Sequence, residues 1–192
     1  MKDPRPAIFL DRDGTINVDS GYIARPEEVV LLEGAAAAVA RLNAAKVPVI
    51  VITNQSGIGR GRYTEADYEA VTRRLAELLA AQGAKIDASY HCPHTPDDGC
   101  ECRKPGTLLH RRAAKEHALE LAGSWYIGDR LRDVEPAAAL GGHGILVPRA
   151  MTPGADVVAA SDRFVVATTL DAAVTRALEG LRSPLTPPRT ED

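Results

Sequence analysis

Apolar positions fall into two kinds of run along the chain. Ala7-Ile8-Phe9-Leu10 is short, uninterrupted and ends at Asp11; Val47 to Ile52 is rich in Val and Ile and ends at Thr53. Pro48 has no N–H for a sheet ladder, so it belongs at the first residues of that second strand. Ala88-Ser89-Tyr90, Ser124-Trp125-Tyr126-Ile127, Gly144-Ile145-Leu146-Val147 and Phe164-Val165-Val166 continue the series. Runs that are apolar on both faces suit a buried parallel sheet.

Helical patterns fill the gaps. Residues 34–45 are alanine-rich around Val39 and Leu42. Thr64, with Asp67 three residues on, forms a capping box for a longer helix. Its apolar stripe is Tyr68, Val71, Leu75, Leu78 and Leu79, and Gly83 suits its end. Gly106-Thr107 opens a charge-rich third helix predicted to run to Leu121. Asp133 is placed to cap a short helix with Pro136 in its first turn and a stop at Gly141-Gly142. A last helix spans about Leu170 to Leu181. Strands alternating with helices predict an α/β fold, a doubly wound, mostly parallel, Rossmann-like sheet with right-handed crossovers.

The 192 residues amount to one domain, assigned to 1–181, with a proline-bearing polar tail at 182–192 expected to be disordered. Against 26 acidic residues the 23 Lys and Arg give a net charge of -3, unlike the basic footprint of a nucleic-acid binder. No apolar run approaches the roughly 20 residues needed to cross a bilayer. The first residues carry charge but no apolar signal segment, which predicts a cytoplasmic chain. The expected state is a monomer.

The 3 cysteines all lie between Cys92 and Cys102, a poor disulfide framework. Cys92, His94, Cys100 and Cys102 offer four soft or borderline ligands within eleven residues, which suits a tetrahedral Zn²⁺. The intervening Thr95-Pro96-Asp97-Asp98-Gly99 is polar and turn-forming, so packed core cysteines are the poorer reading. His91 competes as a ligand but breaks the pairing and is better placed packing at a strand end. Four protein ligands leave no open position, so this loop, 91–103, predicts a structural zinc that would also fix Arg103 and Lys104.

Polar groups close three of the strands: Asp11-Arg12-Asp13-Gly14-Thr15, Thr53-Asn54-Gln55-Ser56-Gly57, and Gly128-Asp129 with Asp133 following. Asp and Gly punctuate strand ends for purely structural reasons too, but open α/β sheets bind ligands at that edge. Strand–Asp-x-Asp-Gly-Thr resembles the haloacid dehalogenase superfamily over residues 7 to about 147. The resemblance implies that Asp11 attacks phosphorus and becomes an aspartyl-phosphate, and that Asp13 protonates the leaving alcohol and then activates water. It places the Asp11 and Asp129 side chains and the Asp13 carbonyl on Mg²⁺. Like charges about 4 Å apart cost on the order of 4 kcal/mol at an effective dielectric of 20, so such crowding calls for a hard cation. Lys104 matches the superfamily's lysine that neutralises the transferring group, with Thr53 bonding the same oxygens. Asp133 fits either the Gly-Asp-x-x-x-Asp motif or a helix cap.

Two branches of the superfamily join this start to a zinc loop, the heptose-bisphosphate phosphatases and the histidinol phosphatases. Ile16 to Tyr22, Thr53 to Ile58 and Cys102 to Gly106 favour the first. That resemblance carries substrate contacts to Asp19, Gly21, Tyr22, Thr53, Asn54, Gln55, Ser56, Arg103 and Lys104, and a supporting role to Arg130. Ser20 stands where that branch commonly has His, and Arg130 where it has Lys. The implied reaction removes the C7 phosphate of a sugar bisphosphate, the expected small-molecule partner, with Arg103 gripping the phosphate that stays. The short segment between Asp13 and Thr53 leaves no room for a cap domain. Histidinol phosphate is the alternative substrate, and an inactive zinc-loop interaction module is the alternative of another class. Arg60 and Arg62 read as solvated loop residues.

Overall fold

A computed structural model describes residues 3–182. Strands β1 (Arg5–Leu10), β2 (Val49–Asn54), β3 (Ala88–Cys92), β4 (Leu119–Gly128), β5 (His143–Leu146) and β6 (Val165–Val166) form a sheet in the order β3-β2-β1-β4-β5-β6. Every pairing is parallel. Period-two alternation splits each apolar run between two cores. Ile8, Leu10, Val49, Val51, Trp125 and Ile127 face one, while Ala7, Phe9, Ile50, Ile52 and Tyr126 face the other.

Helices α1 (Ala35–Ala44), α3 (Glu65–Ala80) and α7 (Leu170–Arg182) cover the first face. Helices α4 (Leu108–His117) and α5 (Leu131–Leu140) cover the second. A short α2 (Ser56–Gly59) follows β2, and α6 (Gly154–Ser161), absent from the sequence pattern, packs beside β6. Thr64 caps α3 as expected, its hydroxyl accepting from Asp67 N at 3.2 Å. Among the described residues no helix is long and apolar enough to cross a membrane. The tail at 183–192 lies outside the described residues, and Arg182, assigned to that tail, is the last residue of α7.

Other boundaries differ from expectation, two of them with consequences for the site. The third helix stops at His117, not Leu121, because Ala118 takes a left-handed conformation (φ 52°) and Leu119 pairs with Arg5. The β1–β4 register shifts between Pro6 and Ile8, and there Ser124 Oγ accepts from Ala7 N at 2.9 Å in place of a backbone partner. A side chain thus holds strand pairing across a break that local helix propensity could not foresee. Helix α5 begins at Leu131, so Asp133 is its third residue and not its cap; Pro136 falls in the second turn. Gly141 ends it with φ 73°.

The order 3-2-1-4-5-6 changes direction between β1 and β4, the place where open α/β sheets bind ligands. Asp11 leaves the end of β1 and Asp129 the end of β4.

Candidate active site

Lys104 is the centre of the site. Its Nζ lies 2.6 Å from Asp11 Oδ1, 2.9 Å from Asp133 Oδ1 and 2.6 Å from the Ile52 carbonyl. The backbone of Lys104 is held on both sides by Asn54, whose Oδ1 accepts from Lys104 N at 3.0 Å and whose Nδ2 donates to Lys104 O at 3.2 Å. Burial alone would depress the Lys104 ammonium, but Asp11 and Asp133 outweigh it and hold the group above the ordinary lysine value.

The carboxylates show the opposite strain. Burial pushes Asp11 up to about 8 against the pull of Lys104, with Asp133, Asp129 and Asp13 adding to the rise. Asp129 is raised to about 6 by burial and Asp133, although Arg130 and Arg132 oppose the shift. Asp11, Asp129 and Asp133 each offer an oxygen within 4.8 Å of the others. An oxygen cluster that burial drives toward protonation fits a hard divalent cation. The Asp13 side chain lies outside the cluster, which leaves its carbonyl as the expected ligand. Gly14 adopts φ 83°, and a Cβ there would come 2.7 Å from Asp129 Oδ2. Only glycine lets the turn after Asp13 pass so close to the second carboxylate.

Asp133 takes the motif role and also braces the start of α5, from the third position of the helix rather than as its cap. One oxygen pairs with Lys104 at 2.9 Å, and the other accepts from Arg130 N at 2.9 Å at the start of α5. Arg130 Nε sits 3.2 Å from Asp129 Oδ2, so the Lys-to-Arg departure keeps its positive charge beside the same carboxylate. Thr152 braces that loop from behind, donating from Oγ1 to Asp129 O at 2.7 Å.

A cavity of about 200 Å³ opens above these groups. Asp11, Asp13, Asp19, Gly21, Tyr22, Thr53, Asn54, Gln55, Ser56, Arg103 and Asp133 line it, so eight of the nine expected substrate contacts converge. Lys104, the ninth, is 3% exposed and lies beneath Asp11. Sequence reasoning missed Tyr63 and Arg132 in the lining, and Arg12 and Asn17 behind it. Arg12 stood inside the Asp-x-Asp motif, while Tyr63 and Arg132 had no local signal. Arg62 does not line the cavity; its guanidinium lies 4.7 Å from the Tyr22 ring centroid.

The zinc loop abuts this cavity. Cys92 Sγ lies 3.0 Å from Cys102 Sγ and 3.5 Å from Cys100 Sγ, and His94 Nδ1 lies 3.1 Å from Cys102 Sγ. Zn–S and Zn–N bonds of about 2.3 and 2.0 Å imply ligand separations of about 3.5–3.8 Å. Three of the separations here reach 3.5–3.6 Å and two are shorter, so the four donors converge on one point and need to spread slightly to hold a tetrahedral zinc. His91 turns away as expected, with Nε2 2.7 Å from Glu65 Oε2 and its ring against Tyr68. Gln55 N donates to Cys92 O, Gly59 N to Pro93 O and Arg103 Nη1 to His94 O, at 2.8, 2.9 and 3.2 Å. The loop therefore positions both sides of the cavity. Cys102→Ser is expected to lose bound zinc, to lower Tm by at least about 5 °C and to slow turnover on the order of 10-fold. Metal analysis, melting and kinetics on one preparation check this; full turnover without zinc would break the link between loop and cavity.

A carboxylate at one strand end, a second at the next strand's end and a buried lysine beside them match the layout of a haloacid dehalogenase-type hydrolase. A family profile described as HAD-hydrolase-like matches residues 101–173. The D-glycero-beta-D-manno-heptose-1,7-bisphosphate 7-phosphatase of Pseudomonas aeruginosa is 44% identical over 144 residues, covering 74% of this chain and 81% of that protein. The Escherichia coli K12 protein of the same name is 41% identical over 143 residues, covering 70% and 74%. The crystal structure of D,D-heptose 1,7-bisphosphate phosphatase from B. bronchiseptica, complexed with magnesium and phosphate, superposes with a TM-score of 0.81 at 37% identity, covering 91% of this chain and 98% of that one. The chain belongs to this family of heptose-bisphosphate phosphatases.

Proposed function

We propose that this chain removes the C7 phosphate of D-glycero-D-manno-heptose 1,7-bisphosphate and releases the 1-phosphate, a step in nucleotide-activated heptose synthesis. The observation that carries the reading is Lys104 bridging Asp11 and Asp133 at the floor of a polar cavity whose remaining cations, Arg103 and Arg132, lie on its wall. One phosphate at the floor and one on the wall is a bisphosphate's requirement. It sets this substrate ahead of histidinol phosphate, which has one phosphate. The complete set of Asp11, Asp13, Thr53, Lys104 and Asp129 argues against an inactive interaction module.

Asp11 attacks phosphorus, and the bond from phosphorus to the C7 oxygen breaks with its electron pair staying on that oxygen. Asp13 gives that oxygen its proton. In the second half Asp13 takes a proton from water, the water oxygen bonds to phosphorus, and the bond to Asp11 breaks to release inorganic phosphate. Lys104 holds Asp11 in place and, with Thr53, faces the charge of the transferring group. Asp11, Asp129 and the Asp13 carbonyl would hold Mg²⁺, which would supply further neutralisation of that charge.

Between Asp13 and β2 the chain forms only loops, a 3-10 turn at Pro26–Glu28 and α1, which supports a single capless domain with specificity in its loops. The expected state is a monomer, and a reduced thiol cluster suits the cytoplasm. Mg²⁺-dependent turnover is expected to favour the heptose bisphosphate over histidinol phosphate on the order of 100-fold in kcat/KM, since a charge-assisted hydrogen bond is worth about 1.5–3 kcal/mol. Preference for histidinol phosphate would transfer the chain to the other reaction.

A further inference from the structure

Asp13 is held far more tightly than a proton carrier needs to be. Its Oδ1 accepts from Arg12 Nε at 3.0 Å and Asn17 Nδ2 at 2.9 Å, and its Oδ2 from Arg12 Nη2 and Gln55 Nε2, both at 2.9 Å. A carboxylate has about four lone-pair sites, so all are occupied. Arg12 is 1% exposed, its guanidinium lies 5.6 Å from the Tyr68 ring centroid, and its Nη1 is buried with no hydrogen-bond partner. Sealing a guanidinium away with one nitrogen unbonded is unfavourable, and a buried ion pair is weak support for stability. What the arrangement does supply is a fixed fork on one edge of Asp13.

The opposite edge is organised as well. Gln55 Nε2 is shared between Asp13 Oδ2 and Thr53 Oγ1, the latter at 2.7 Å, and Tyr63 OH donates to Gln55 Oε1 at 2.5 Å. That hydroxyl accounts for the orientation of the amide. The Tyr63 ring in turn needs Gly57, where a Cβ would come 2.1 Å from it.

We propose that Arg12, together with Gln55 held by Tyr63, acts as a positioning device for the reaction, setting the Asp13 carboxyl for proton transfer. The inference rests on Asp13 being the acid and base under Proposed function. Arg12 does not line the cavity, whereas Gln55 does. When the substrate arrives the fork stays, and Gln55, still held by Tyr63 and Thr53 beside that edge, gives up one lone pair of Oδ2, which becomes the oxygen that carries the proton. That proton passes to the ester oxygen as the phosphorus–oxygen bond breaks, the electron pair remaining on the departing oxygen.

The test compares a poor leaving group with a good one. Arg12→Lys, which keeps charge but loses the fork, should slow phosphoryl transfer from the heptose bisphosphate on the order of 100-fold with little change in KM. The pre-steady-state release of p-nitrophenol from p-nitrophenyl phosphate, whose leaving oxygen needs no proton, should change less than about 3-fold. Tyr63→Phe should give the same pattern at roughly 10-fold, and it decides the matter if Arg12→Lys does not fold. Equal slowing of both substrates, or slowing of neither, in a folded variant overturns the proposal. Asp13→Asn is the control: if it too slows both equally, the acid–base reading itself fails, and if it alone is selective, only the positioning role does.

Discussion

Asp11→Asn is expected to lower turnover by a factor on the order of 10⁵, the scale seen when a covalent nucleophile is removed, and to leave no phosphate bound to the chain. The amide occupies the same space but forms no acyl phosphate by displacement. Rapid quenching with labelled substrate is the check, and residual activity above about one per cent of the original would place the nucleophile elsewhere. The same variant has a stability signature. With the folded Asp11 carboxyl raised to about 8, the folded chain binds that proton more tightly than the unfolded one, whose aspartate has a pKa near about 4. Stability from this proton is present below about pH 4 and lost as pH rises through about 8. In magnesium-free buffer the unsubstituted protein should therefore lose Tm across that window. The Asn variant should lose less, keeping only the part that Asp129, raised to about 6, contributes.

Lys104→Met carries the largest expected cost to the fold. The lysine is 3% exposed and pairs with two carboxylates and a carbonyl at 2.6–2.9 Å. Taking away one side of a buried ionic cluster costs about 3–5 kcal/mol, because the remaining charges stay buried without a partner. For a chain of this size that lowers Tm by about 6–20 °C. Turnover should fall at least about 100-fold, since the transferring phosphoryl group loses its fixed cation. Denaturant melts followed by kinetics at a temperature where the variant is folded separate the two effects. An unchanged melting curve would mean that the ammonium does not pair with Asp11 and Asp133 in solution.

Much of the site was legible because its chemistry is carried by residues adjacent in the chain. Asp11 and Asp13, Thr53 to Ser56, and Cys92 and His94 each lie at or beside the end of a strand, and apolar runs mark those ends directly. Cys92, His94, Cys100 and Cys102 could be grouped by spacing alone because a short turn-forming loop joins them. Residues that reach the site by folding carried no such mark. Arg132 enters the cavity because α5 begins three residues earlier than a cap at Asp133 implies, and Tyr63 because Gly57 leaves room for its ring. Arg12 was visible inside the motif, yet its burial against the Tyr68 ring and the Asn17 bond that fixes the facing Asp13 carboxylate come only from folding.

The amino-acid order by itself determined that strands alternate with helices, where the reactive carboxylates sit on their strands, and that a thiol and imidazole cluster suits zinc. These follow from side-chain period and short-range spacing, which need no knowledge of distant partners. Only the tertiary structure decided that β4 reaches back to Leu119, that Asp133 serves both Lys104 and the start of α5, and that Asp13 is clamped on both edges. The reason is physical: strand register and buried ion pairing depend on groups as far apart in sequence as Ala7 and Ser124 or Asp11 and Lys104. Such groups meet only when a particular strand order brings their elements together.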